Sequence, residues 1–120
     1  MASPSLSETY ALVDLYQSTD GKNWKWKKPY SNYGYPWNVT DWPNQNPCSV
    51  STPWQGVDCT KQTNSISSVT TLILNDYDLH GTLPTSIGNL TSLEYFSLGS
   101  NRLTGSIPTE VGQMNYSLLL

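Results

Sequence analysis

Residues 93–108 read Leu93-Glu94-Tyr95-Phe96-Ser97-Leu98-Gly99-Ser100-Asn101-Arg102-Leu103-Thr104-Gly105-Ser106-Ile107-Pro108. Shifted by 24 positions, the pattern appears a second time. Leu72 falls on Phe96, Leu74 on Leu98, Leu79 on Leu103, Gly81 on Gly105, Leu83 on Ile107 and Pro84 on Pro108. The match continues through Ile87/Val111, Gly88/Gly112 and Leu90/Met114. Agreement at one fixed period marks a structural repeat. Alternate side chains of a strand point to opposite faces, so Phe96 and Leu98 turn inward while Ser97 is expected to be exposed. Asn101 stands where the chain turns, with an amide able to satisfy turn backbone and the neighbouring coil. A coil this thin cannot bury its own leucines and needs neighbours.

Outward from the repeats, the N-terminal half has a different character. Ser5 and Glu8 have capping-box spacing. Ala11, Leu12, Leu15 and Tyr16 follow on one helical face, predicting a helix over about 7–18. Ser18-Thr19-Asp20-Gly21 ends it, with Gly21 expected in a left-handed conformation. Residues 22–60 show no period and hold all five tryptophans and both cysteines. So long an irregular stretch needs a staple or a function. Cys48 and Cys59 read as a disulfide or as two buried free thiols. Four zinc ligands are not to be had from two cysteines and one histidine.

Composition narrows the function classes. Charged residues make up 12% of the chain, against about 25% in ordinary soluble domains. Ser, Thr and Asn (16, 13 and 10) fill the gap. The net charge is −3, all of it carried by residues 48–120, which argues against nucleic acid as a partner. No apolar run approaches the ~20 residues of a membrane span. The 14 aromatics and 14 leucines argue against disorder.

The pattern L-x-x-L-x-L-x-x-N-x-L-x-G-x-I-P resembles the plant-type leucine-rich repeat proteins. Leu79 to Pro84 and Leu103 to Pro108 both carry L-x-G-x-[LI]-P. The N-terminal half resembles that family's cap. Its marks are Ala11-Leu12-Val13-Asp14-Leu15-Tyr16, Asp20-Gly21-Lys22-Asn23-Trp24, Pro47-Cys48 and Trp54-Gln55-Gly56-Val57-Asp58-Cys59. The resemblance implies an α/β repeat fold, a short leucine-rich-repeat solenoid with a helical, disulfide-stapled cap. The cap would occupy 1–68 and the repeats 69–120, the third repeat incomplete. It implies that Cys48 and Cys59 are bonded and that Trp54 is cap core. Three departures stand out. Tyr77 replaces the first repeat's Asn, the loop from Lys25 to Asn46 is long and aromatic, and Leu120 aligns with Leu72 and Phe96, so a third strand would barely begin.

The expected function is a secreted or cell-surface, non-catalytic module binding protein, peptide or glycan. Its binding face would be Thr71, Ile73, Asn75 and Asp76 on one strand, and Tyr95, Ser97, Gly99 and Ser100 on the next. The alternative is a structural glycoprotein subunit assembling into a dimer or filament through Met114, Leu118, Leu119 and Leu120. There Leu98, Leu103, Ile107 and Val111 would also lie edge-on. Sequons at Asn38, Asn89 and Asn115 are candidate glycosylation sites. Tyr30, Tyr33, Tyr35 and Trp37 form either a stacking platform for sugars or loop packing. Lys22, Lys25, Lys27 and Lys28 read as solvated charges around cap tryptophans. No catalytic, cofactor or metal constellation is visible, and His80 reads as a surface residue.

Overall fold

A computed structural model describes residues 3–41, 44–60, 67–112 and 117–119, the last three by their backbone. Helix α1 spans Leu6–Ser18. Ser5 caps it, its hydroxyl accepting the Glu8 N–H at 3.3 Å. Glu8 does not complete a reciprocal box. Its Oε1 accepts the Val69 N–H at 2.9 Å, joining the first helix to the first parallel strand. Ala11, Leu12 and Leu15 are fully buried. At the helix end the left-handed residue is Asp20, not Gly21 (φ 62°). Gly21 opens a 3₁₀ turn over Gly21–Asn23, and the Tyr16 ring occupies the space a Cβ there would need.

Beyond it lie a one-turn helix α2 (Tyr30–Tyr33) and strand β1 (Val57–Cys59). Then come β2 (Val69–Ile73), β3 (His80–Gly81), β4 (Tyr95–Ser97), β5 (Arg102–Leu103), α3 (Thr109–Gly112) and β6 (Ser117–Leu119). One sheet runs β1-β2-β4-β6, with β1 antiparallel and the others parallel; β3 and β5 form a second ladder. The 24-residue period sets the parallel register directly: Thr71 pairs with Tyr95, Leu72 with Phe96 and Ile73 with Ser97.

The third strand departs from expectation. β6 is formed, and Phe96 pairs with Leu118 rather than Leu120, an offset of 22. The expected open end is correspondingly different. Leu98 and Val111 are buried; β6 lies along β4, and α3 packs on the 3₁₀ turn at Thr85–Asn89. Leu103 is half-buried and Ile107 is 49% exposed. Met114, Leu120 and Asn115 lie outside the described residues, as do the side chains of Leu118 and Leu119.

Two devices hold coil to coil. The Asn101 carbonyl oxygen accepts the backbone N–H of Tyr77 (3.1 Å) and Leu79 (2.9 Å) in the preceding coil. Its amide nitrogen donates to the carbonyls of Leu74 and Leu98, both at 2.9 Å. Asn75 reaches the other way, accepting from Gly99 N–H and the Ser97 hydroxyl. On the surface, Arg102 pairs with Asp78 at 2.7 Å and holds that carboxyl below its ordinary pKa.

The cap core is aromatic. Trp24, Trp37 and Trp54 are each 4% exposed, and Trp37 stacks on Trp54 with centroids 5.0 Å apart. Cys48 and Cys59 are disulfide-bonded, closing a short loop worth about 3 kcal/mol by chain entropy. Beneath the tryptophans lies Gln55, fully buried. Its Oε1 accepts the Tyr77 hydroxyl (2.7 Å) and the Lys27 N–H (3.0 Å). Its Nε2 donates to the carbonyls of Lys27 (2.6 Å) and Gly34 (3.0 Å).

Two measurements test this packing. Gln55→Leu keeps the volume but strands four polar partners, so urea unfolding should show a loss of about 3 kcal/mol or more. A loss below about 1 kcal/mol would contradict the assignment. On β4, Phe96→Ala should cost about 3–5 kcal/mol, whereas Tyr95→Ala, one residue earlier, should stay within about 0.5 kcal/mol of the parent.

Candidate functional site

The outward face of the sheet is built by simple alternation. Leu72, Leu74, Phe96 and Leu98 enter the core, so Thr71, Ile73 and Tyr95 turn away from it. Ile73 is 41% and Tyr95 58% exposed. Thr71 stands between Asp58 on β1 and Tyr95 on β4. β2 and β4 each pair with a strand on both sides, so these side chains are presented without a large ordering cost.

The eight residues expected on this face divide into two sets. Thr71, Ile73, Asp76, Tyr95 and Ser100 present at least part of their side chains to solvent. Ser97 does not, at 8% exposed. Its short side chain lies under the Asn75 amide, to which its hydroxyl donates at 2.7 Å. Alternation predicts direction and says nothing of a neighbour folding across, which is why Ser97 was expected in the open. Asn75 and Gly99 belong to the same coil-to-coil contact. Asp76 and Ser100 hold left-handed turns (φ 61° and 58°) at the strand exits.

Beside this face, toward the cap, is a cleft of about 430 Å³. The Tyr30–Tyr35 segment forms one wall, Val50, Ser51 and Pro53 another, and Asp58, Thr71 and Ile73 the sheet side. Tyr30 and Tyr35 are half-buried, with centroids 5.9 Å apart and planes at 55°. Tyr33 is 52% and Val50 87% exposed. Gly56, at φ 79°, borders the cleft because its Cα lies against the Ile73 carbonyl, leaving no room for a Cβ. The expected platform is thereby split. Tyr30, Tyr33 and Tyr35 line the cleft, while Trp37 is core and donates its indole N–H to the Gln55 carbonyl at 2.8 Å. No sequence signal joined these tyrosines to Asp58 and Ile73, since the link is made by the fold of an aperiodic loop.

Elsewhere the chemistry is plain. Lys22, Lys25, Lys27 and Lys28 are exposed, and the Lys27 ammonium lies 5.0 Å above the Tyr77 ring. Burial pushes the Tyr77 phenol above the ordinary tyrosine pKa, with a smaller contribution from Tyr33. His80 is exposed. Among the described residues no three His, Cys, Asp or Glu side chains are grouped to hold a metal ion. No helix among them is long and apolar enough to cross a membrane. Asn38 and Asn89 are both exposed.

A Leucine Rich Repeat family model matches residues 92–114. LRR receptor-like serine/threonine-protein kinase RGI3 of Arabidopsis thaliana is 43% identical over 85 residues, 70% of this chain and 7% of that protein. The nodulation receptor kinase of Pisum sativum is 38% identical over 64 residues, 53% of this chain and 7% of that one. The chain spans 6–7% of the length of the first curated relatives it matches. Among solved structures, the LRR ectodomain of the receptor kinase SOBIR1 from Arabidopsis thaliana aligns over 100% of this chain and 55% of its own, with TM-score 0.61. At 20% identity it speaks for the fold alone. A leucine-rich repeat protein from Bacteroides eggerthii aligns over 85% of this chain and 16% of its own, at 28% identity and TM-score 0.53. With the repeat register, the asparagine contacts and the disulfide-closed tryptophan cap in place, the chain carries leucine-rich repeats and is similar to the plant-type leucine-rich repeat proteins.

Proposed function

We propose that this chain is an extracellular, non-catalytic interaction module that holds its ligand against the outward strand face. The observation carrying this is the row Thr71, Ile73 and Tyr95. Two partly exposed apolar side chains are fixed on paired strands whose other faces are core. Exposed aromatic and aliphatic groups on a rigid frame are the usual anchors of recognition surfaces. The extracellular placement is supported by the Cys48–Cys59 bond, which persists in oxidising compartments, and by the likeness to receptor-kinase relatives. The ligand is a protein, a peptide or a glycan.

A panel of purified extracellular proteins, peptides and oligosaccharides tests the reading. A ligand should emerge whose affinity falls at least about tenfold in Tyr95→Asp or Ile73→Asp. The same ligand should be indifferent to Glu110→Ala on α3. Ligands insensitive to both strand-face changes would overturn it.

We also infer N-linked glycans on Asn38 and Asn89. Both side chains are exposed, and the Thr40 hydroxyl already donates to the Asn38 carbonyl oxygen at 2.7 Å within its sequon. Intact mass of protein from a secreting eukaryotic host should exceed that of the bare polypeptide. It should fall stepwise with Asn38→Gln and Asn89→Gln. A mass equal to the polypeptide would contradict both assignments.

A further inference from the structure

We infer that the cleft between the Tyr30–Tyr35 segment and the sheet is a saccharide site, one that takes a neutral, hydroxyl-rich oligosaccharide. The inference rests on the interaction-module reading and names a ligand class and a second contact surface for it.

The first reason is the wall. Tyr30, Tyr33 and Tyr35 fall within six residues and all line the cleft, Tyr33 with half its surface in water. A pyranose ring has an apolar C–H face that rests on an aromatic ring, and a hydroxyl rim that needs polar partners. Tyrosine offers both a flat apolar body and a polar tip. Tyr30 and Tyr35 stand at 55° to each other, so their rings cannot stack on one another as a closed pair.

The second reason is what faces the rings. Asp58, Thr71, Ser51 and Asn32 supply a carboxylate, two hydroxyls and an amide within one lining. Asp58 is exposed, and a carboxylate's two oxygens accept from neighbouring hydroxyls of one sugar. Val50 and Ile73 add apolar edge for the C–H faces. At about 430 Å³ the cleft falls within the range of small-ligand sites.

The third reason is charge. Among the described residues, Asp58 is the one charged residue in the lining, and no lysine or arginine accompanies it. A uronate or sulfated chain would meet a carboxylate with no cation to balance it. An extended peptide is disfavoured on different grounds. β1, the sheet edge at the cleft, has three residues and an irregular register between Asp58 and Cys59, too short a ladder for an added strand.

Calorimetry and saturation-transfer NMR with four neutral hexasaccharides, cellohexaose, laminarihexaose, xylohexaose and mannohexaose, test the inference. Hexagalacturonate and an unrelated peptide library serve as contrasting arms. At least one neutral hexasaccharide should bind with a sub-millimolar constant. Tyr33→Ala should weaken it at least about tenfold and Asp58→Asn several-fold. Both positions are exposed, so thermal unfolding of the two variants should match the parent. Glu110→Ala on α3, outside both surfaces, should leave sugar affinity unchanged. The inference is overturned if no neutral hexasaccharide binds the folded protein at millimolar concentration. It is equally overturned if hexagalacturonate binds as tightly, if binding ignores Tyr33 and Asp58, or if peptides alone depend on Tyr33. Ligand binding that depends on Tyr95 and not on Tyr33 would sink the saccharide site while leaving the strand-face reading intact.

Discussion

The Gln55 side-chain amide is the point on which the cap depends. It is fully buried, and both its oxygen and its nitrogen make two hydrogen bonds. Those bonds reach three separate places: Lys27 after the tryptophan pair, Gly34 at the end of α2, and Tyr77 in the first repeat. Its backbone serves the same purpose, with the carbonyl accepting from Trp37 and the N–H donating to Tyr35. A buried amide left half-satisfied costs more than its bonds are worth when complete. Arrangements of the aperiodic loop that leave this residue unpaired are therefore penalised, and the disulfide adds about 3 kcal/mol by chain entropy.

Tyr77 shows how a cap is joined to a repeat array. At the corresponding place in the next coil, Asn101 bonds backward to the coil before it. The first coil has no repeat before it, only the cap. A tyrosine there is long enough to reach Gln55 with its hydroxyl, while its ring packs edge-on to Trp26 with centroids 6.0 Å apart. The Tyr77 backbone N–H still donates to the Asn101 side-chain oxygen on the other side. The departure from the repeat pattern is thus the junction itself, made by the side chain that faces a protein core instead of another coil. Glu8 makes a second junction, one carboxylate oxygen accepting from Val69 N–H while the other accepts from the Ser5 hydroxyl at the helix N-terminus.

What the sequence disclosed follows from what is periodic or local. The 24-residue repeat carries the register of β2 on β4, because each coil must place like residues on like residues. The spacing of Ala11, Leu12 and Leu15 carries α1, and the capping serine carries its start. What stayed hidden depends on side chains meeting across long separations. Ser97 is covered by a residue 22 positions away, the Glu8–Val69 bond spans 61, and Tyr30–Tyr35 meet Ile73 only through the loop's fold. The shift of β6 by two residues is also invisible to a pattern that assumes equal coils.

The cleft wall inherits its rigidity from that same buried amide. α2 is a single turn with no buried residue, so packing does not hold it. Its exit is held by hydrogen bonds to backbone atoms. Gly34 takes the Gln55 amide on its carbonyl, Tyr35 N–H donates to Pro53 and Tyr35 carbonyl accepts from Gln55. Three aromatic rings stand on a segment whose position is set by hydrogen bonds beneath it and not by the rings' own burial. An aromatic surface held this way leaves Tyr33 exposed and Tyr30 and Tyr35 partly exposed, where burial for anchorage would have covered them. The strand face achieves the same end differently, by spending alternate residues on the core. The two surfaces meet at Ile73, which lies on β2 and lines the cleft, so a ligand large enough to touch both finds them on one rigid frame.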